Sequence, residues 1–356
     1  MSSLRYLQVS QAFTTNGTVL TVTVNSLLIH LTMFHVKDIK PAYKFLIVLQ
    51  AALGILFSVN EIFIHPFMHS FNASFIFFSS SFTSKSRFDV SLLLNTILLG
   101  LYSFTYMFLI CGLSIQFIYR YILIMKPKYL KLLFRGWKSL FWLLYCLPFM
   151  AMWIFALTQT QPDEYSKEYL KQEMLDNYGA DINYIPHYPN VAYDQNQQLR
   201  VKAVFVVLEY SIVLLSLYTI IVYCGFRIHF GIKSIMDISS AKVHRLHTQL
   251  FRTLVLQVTV PSVFFNSPVF FLYIMPFFDL KWSVPSGIMV AFFSFYPAID
   301  SLILIWMVNE YNRVLRKLLY NFLSWVAELL GSDDDEDSSH GGKRTESAVA
   351  MGDFTN

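Results

Sequence analysis

Residues 6–36 carry no Asp, Glu, Lys or Arg, and uncharged stretches of similar length recur at 90–119, 139–162 and 253–278. A helix needs roughly 20 apolar residues to cross about 30 Å of hydrocarbon, so each stretch is long enough to span a bilayer. Three more apolar segments are each broken by one acid: 45–67 by Glu61, 203–226 by Glu209 and 282–308 by Asp300. All seven are apolar around their whole circumference rather than along one stripe, as suits helices that face lipid. The pattern predicts an all-α membrane protein, a bundle of seven transmembrane helices over about 18–35, 43–67, 91–120, 139–158, 201–226, 252–277 and 284–308.

Between the spans the loops are short except 159–200. Within it Pro162-Asp163-Glu164 reads as a helix start and Gly179 as a stop, predicting a short helix over one mouth of the bundle. After the seventh span, 311–330 sets Val314, Leu315, Leu318, Leu319, Phe322 and Leu323 on one face and Arg313, Arg316 and Lys317 on the other, as in a helix lying in the membrane interface. This gives a receptor domain over 1–330 and an acidic tail over 331–356, rich in Ser, Gly and Asp, that is expected to be disordered. Ser338 and Ser339 in that tail read either as phosphorylation sites or as part of a solvated end.

Composition narrows the class. With 55% hydrophobic and 14% charged residues in 356, there is too little polar surface for a soluble globule, so the net charge of +4 concerns topology and not nucleic acid. The opening MSSLRYLQVSQAF has no basic n-region, and no removable signal peptide is expected. Cys111, Cys146 and Cys224 all fall inside spans, so no external disulfide is expected.

Lys and Arg of the loops fall unequally. One side, with Lys37, Lys40, Lys44, Arg120, Lys126, Arg135, Lys242, Arg245 and Arg316 among others, outnumbers the opposite side about two to one, which predicts an external N-terminus and an internal C-terminus. The sequons at Asn16 and Asn72 then face outward, near span ends, as candidate glycosylation sites.

Ionisable groups in spans are costly and usually face the bundle interior. Glu61 and Glu209 fall near the outer ends of their spans, and Asn95, Tyr102, Tyr106 and Asn266 in the outer halves of the third and sixth. A few polar groups among aromatics suit a small-molecule site, although each acid reads somewhat more readily as a bond to a neighbouring helix. Glu61, His65 and His69 are spaced like metal ligands, but Pro66 interrupts the helix, so packing is the expected role and no metal or cofactor is implied. No phosphate loop, H-E-x-x-H or G-x-S-x-G occurs, and no enzyme is expected. On the inner side Tyr119-Arg120-Tyr121 closes the third span, as a headgroup anchor or as a switch. Pro261 and Pro297 free backbone carbonyls and offer pivots.

Five motifs resemble one family. Tyr43-Lys44 before a span ending HPFMHSFNASF, FIYRY at 117–121, GWKSLFW at 136–142, QLFRTLVLQVTVP at 249–261 and YPAID at 296–300 are similar to the nematode Str-type chemoreceptors, the class R serpentine receptors and relatives that include the diacetyl odour receptor. The resemblance covers about 40–320. It implies a G-protein-coupled chemosensory receptor in the ciliary plasma membrane of a sensory neuron, with a small-molecule odorant or soluble cue and a heterotrimeric G protein as partners beside the lipid bilayer. Arg120 then matches the family's arginine at the end of the third span, and Pro297 and Asp300 its seventh-span motif. Where the family reads Tyr-Pro-x-x-Asp-Pro, Ser301 replaces the last proline, which should soften the local kink. A ligand-gated channel or transporter of seven spans is the alternative, and it calls for polar residues through the full membrane depth.

Overall fold

The computed structural model describes residues 3–81, 92–134, 136, 138, 141–235 and 241–331. In chain order come α1 (Ser3–His30) with a π turn over Leu31–His35, α2 (Pro41–Ile64), β1 (Pro66–Phe71), β2 (Ser74–Ser79), α3 (Leu92–Met125), α4 (Leu130–Phe134) and α5 (Phe141–Gln159). There follow α6 (Glu164–Tyr178), β3 (His187–Val191), α7 (Val201–Ile235), α8 (Ala241–Pro261), a π turn over Ser262–Asn266, α9 (Ser267–Ile274), β4 (Ser283–Pro285), α10 (Gly287–Phe293), α11 (Tyr296–Met307) and α12 (Asn309–Gly331). Among the described residues seven stretches are long and apolar enough to cross a membrane, as the sequence predicts. α8 and α9 together make the sixth, and α10 and α11 the seventh.

Several boundaries move. The first span begins at Ser3 rather than 18, because Ser10, Thr14 and Thr18 face the buried side and their hydroxyls need no water. Thr18 shows how: its Oγ1 donates to the Thr14 carbonyl at 3.0 Å and lies 3.1 Å from the Ser58 carbonyl of α2. Asn16 therefore sits inside a helix, its amide donating to the Ala12 carbonyl at 2.9 Å. The second span stops at Ile64 rather than 67, since His65 takes a left-handed φ of 40° and Pro66 cannot continue the helix. The third runs on to Met125, which leaves Arg120 more than a turn inside it. The fifth runs to Gly231, past the expected 226, on a helix that continues to Ile235, and the sixth begins at His244 rather than 252, on a helix that starts at Ala241.

An all-α reading misses one element. Three of the loops at one end of the bundle contribute strands to a single antiparallel sheet in the order β3-β2-β1-β4. The β1–β2 hairpin turns at Asn72, which takes φ 46°, a region asparagine tolerates. It pairs Pro66 with Ser79 through to Phe71 with Ser74. Over this sheet lies α6, with a capping box between Asp163 and Ser166 and Gly179 closing it in the left-handed region, so the predicted helix is present with its predicted ends.

Alternation along the hairpin divides its side chains. Phe67, Ile76 and Phe78 turn to a core with Leu7 of α1 and Leu170, Met174 and Tyr178 of α6, while Met68, Phe75 and Phe77 turn to the bundle. Inside the bundle small residues let backbones close up: a side chain at Gly54 of α2 would strike Pro297, and one at Gly17 of α1 would strike Ser294. Polar stitches hold the same seam, with Thr21 Oγ1 donating to the Ser294 carbonyl at 2.7 Å and Ser301 Oγ donating to Asn25 Oδ1. The residue that departs from the family's proline is thus a bond to the first span, and α11 runs unbroken through it.

The chain divides into 1–312 and 313–356. In the second unit Leu319, Phe322, Leu323 and Trp325 of α12 are exposed. Ser338, Ser339 and the tail beyond Gly331 lie outside the described residues.

Candidate ligand site

Beneath the sheet lies a cavity with about 970 Å³ of empty space, its mouth included. Met68, Phe75 and Phe77 of the hairpin and Tyr188 and Asn190 of β3 form its roof. α3 supplies Tyr102, Ser103 and Tyr106, α5 supplies Trp153 and Leu157, and α7 supplies Val207, Tyr210 and Leu214. From the sixth span come Asn266, Val269, Phe270 and Tyr273, and from the seventh Val290 and Phe293. Among the described residues no Asp, Glu, Lys, Arg or His lines the cavity. Such a lining suits an uncharged molecule, held mainly by aromatic surface and oriented by a few polar groups.

Those polar groups fall in two places. In the roof, strand alternation puts Asn190 on the same face as Tyr188, and its buried amide nitrogen has no hydrogen-bond partner. At the floor, the Tyr106 hydroxyl donates to Asn266 Oδ1, Asn266 Nδ2 donates to the Tyr218 hydroxyl at 2.6 Å, and Ser262 Oγ donates to the same hydroxyl at 2.8 Å. One network therefore ties the third, fifth and sixth spans together at the π turn that follows Pro261. Below it is a smaller space of about 340 Å³, which shares Tyr106, Asn266 and Phe293 with the cavity and also touches Tyr218, Pro261 and Tyr296. π turns recur at functional sites because they shift the register of the helix that carries them.

The sequence candidates separate accordingly. Tyr102, Tyr106 and Asn266 line the cavity. Glu61 stands one layer behind: it is fully buried, accepts from the Tyr102 hydroxyl at 3.3 Å, and the Tyr102 ring stacks on Phe57 at 4.4 Å. Glu209 is buried on α7 with one carboxylate oxygen unpartnered, yet the residues that line the cavity from α7 are Val207, Tyr210 and Leu214. Asn95 is half-buried on α3 and is not among the lining residues. The sequence reading missed Trp153, Tyr188, Asn190, Tyr210, Tyr218 and Tyr273.

At the far end of the bundle Arg120 is buried, its guanidinium carbon 4.0 Å from the Tyr43 ring centre and Nη1 3.4 Å from His247 Nδ1. Tyr119 stacks on the same Tyr43 at 5.1 Å, whereas Tyr121 faces Tyr223 of α7 at 6.1 Å. A headgroup anchor would leave this arginine in the interface, whereas here it is buried among α2, α3 and α8. Asp300 is buried with Oδ1 unpartnered, and its carbonyl accepts from Gln257 Nε2 at 3.1 Å. Pro297 opens α11 against Gly54. Arg245 is exposed on α8, and Lys242 lies on the same helix with its side chain outside the described residues.

Over the roof, Glu173 of α6 joins three segments. Its Oε1 lies 2.8 Å from His69 Nε2 of β1 and accepts from Ser283 Oγ of β4 at 2.5 Å and Asn177 Nδ2 at 2.7 Å, while His69 Nδ1 meets the Tyr178 hydroxyl at 2.9 Å. His65 ends α2 and His69 lies in a strand, so they share no helix face with Glu61, and no metal-binding cluster occurs among the described residues. Burial pushes the Glu173 carboxyl up, but the bonds from His69, Ser283 and Asn177 outweigh it and hold the group below the usual glutamate range. A depressed value contributes stability in full above the ordinary glutamate value and loses it as pH falls through the lower, folded one. Glu173→Gln is expected to destabilise the cap by roughly 2 kcal/mol near neutrality. In thermal melts of purified protein that difference from the wild type should hold down to mildly acid pH and vanish only below the usual glutamate range.

A sequence model of the family described as serpentine type 7TM GPCR chemoreceptor Str matches residues 10–316. The chain is similar to G-protein coupled receptor str-33 of Caenorhabditis elegans, 38% identical over 303 residues that cover 83% of this chain and 86% of the relative. It is also similar to serpentine receptor class r-10 of the same nematode, 28% identical over 317 residues covering 86% and 88%. G-protein coupled receptor str-217 of that organism is 24% identical over 307 residues, 83% and 86%.

Proposed function

The chain belongs to the Str family of serpentine seven-transmembrane chemoreceptors, multi-pass proteins of the plasma membrane, and from that premise we propose that the cavity under the sheet is where its chemical cue binds. The sheet end faces outward in this reading, which the excess of Lys and Arg at the other end supports. Asn72 at the hairpin turn is then the sequon placed for glycosylation, whereas Asn16 is held in a helix. The cue is an uncharged small molecule carrying a hydrogen-bond acceptor, for which the unpartnered Asn190 amide is the donor.

What carries the proposal is the floor. Tyr106 and Asn266 line the cavity and also bond toward the π turn after Pro261, so a ligand that competes for either group changes the balance between two arrangements of the sixth span. A ligand shifts such a balance only by its differential affinity for the two states, and breaking or tightening this network supplies the difference. The far ends of α3 and α8, tied by Arg120, respond by opening a face with Arg245 and Lys242 to a heterotrimeric G protein. A sensory cilium is the setting that the family suggests.

Cells expressing the receptor with a second-messenger reporter, screened with volatile and water-soluble compounds, test this directly. Once an agonist is in hand, Tyr106→Phe is expected to change its potency about fivefold, the worth of roughly one hydrogen bond. Unchanged potency at equal surface expression would remove the floor network from the mechanism.

A further inference from the structure

The roof that closes the cavity from the loop side leaves the question of how a ligand enters. Among the described residues Met68, Phe75, Phe77 and Asn190 of that roof are buried and Tyr188 is half-buried, so strands close most of that end. Half-burial is shared by lining residues of several elements, Leu157 of α5 and Tyr188 of β3 among them, but Phe270 of α9, 41% exposed, is the lining residue that stands open, with Val269 and Tyr273 beside it and Val207 and Leu214 of α7 half-buried. Hydrogen bonds bracket this seam. Tyr193, just after β3, donates to the Phe277 carbonyl at 2.7 Å at its sheet end, and the Tyr218 contacts with Asn266 and Ser262 close its lower end. Outside the seam, Leu208 and Leu215 of α7 and Phe264 and Phe271 of the sixth span are exposed apolar residues of transmembrane segments, so what lies against them is lipid.

We infer that the ligand reaches the cavity through the bilayer, between α7 and α9, with Phe270 at the sill. This rests on the cavity being the ligand site, and it fixes a class: uncharged molecules that partition into hydrocarbon. A charged cue would have to cross both the lipid and an uncharged rim, each at a high cost.

The test reads entry through Trp153, which lines the cavity and donates to Ser103 Oγ at 2.8 Å. Receptor in proteoliposomes is mixed with 1-bromohexane, a lipophilic quencher, and quenching is followed by stopped flow, with Trp153→Phe isolating the cavity signal. Phe270→Cys is then tagged with benzyl methanethiosulfonate, which plugs the sill and is removed by dithiothreitol. The native cysteines are buried, and tagged wild type and tagged Leu144→Cys, at an exposed position on α5, serve as controls. Tagging Phe270→Cys should slow Trp153 quenching about tenfold, within the span of entry rates among variants of one site, and dithiothreitol should restore it. Quenching that is unchanged by the tag, or slowed equally by tagged Leu144→Cys, overturns the seam while leaving the cavity as the site. Absence of Trp153-dependent quenching in the untagged receptor overturns both, because the cavity then takes up no apolar molecule.

Discussion

Arg120→Ala is expected to raise ligand-independent signalling about tenfold at matched surface expression. The guanidinium lies over Tyr43 of α2 and reaches His247 of α8, so one side chain of α3 holds two other helices. A desolvated cation–π contact is worth about 2 kcal/mol, and losing even 1.4 kcal/mol from the closed arrangement alone shifts its ratio to the open one tenfold. Arg120→Lys should fall between, since lysine keeps the charge but loses the planar group that stacks on the ring. Basal reporter output with no agonist, normalised to surface antibody staining, measures it, and equal output from all three forms would leave Arg120 a packing residue.

Gly287→Val is expected to remove the receptor from the cell surface. Gly287 opens α10 directly against Phe67, and any side chain there would fall within the Phe67 ring. That ring has nowhere to go, being packed on Phe78 at 5.5 Å and Tyr178 at 5.7 Å. The Gly287 carbonyl also receives Ser10 Oγ of α1 at 3.2 Å, so the junction joins the first span, the sheet and the seventh span. Overpacking a closed core costs about 1–3 kcal/mol or more. If the clash is the cause, Phe67→Leu added to a milder Gly287→Ala should recover part of the surface signal by flow cytometry. A double variant no better than Gly287→Ala alone would point to backbone freedom at the glycine instead.

Seven spans were legible because hydrocarbon imposes a length and forbids charge, and 90–119 or 139–162 can satisfy that in only one way. Where α1 starts was hidden by its hydroxyls: Ser10 and Thr14 look like loop residues until their helix is packed. The hairpin was hidden for the opposite reason. Phe67, Ile76 and Phe78 serve one core and Met68, Phe75 and Phe77 another, so both faces are apolar and the two-residue alternation that marks a strand is invisible. Only Asn72-Ala73 hints at a turn, and the same residues open a sequon. Of the candidate site, Tyr102, Tyr106 and Asn266 stood out as polar groups in uncharged runs. Trp153, Tyr210 and Tyr273 could not, since an aromatic residue in a span reads alike whether it faces lipid or a cavity.

The four-stranded sheet also imposes an order on biosynthesis. β1 and β2 leave the ribosome early, but β3 follows only after the fourth span, and the β4 edge, where Phe71 meets Ser283, waits until six spans have been inserted. Until then one edge of β1 is an open row of amides and carbonyls in an aqueous compartment, the kind of surface that chaperones hold and that misassembled chains share. The sheet is therefore a register of completion: a truncated or mis-threaded chain leaves an unpaired edge for quality control to find, and only a chain that has inserted nearly all its helices can hide it.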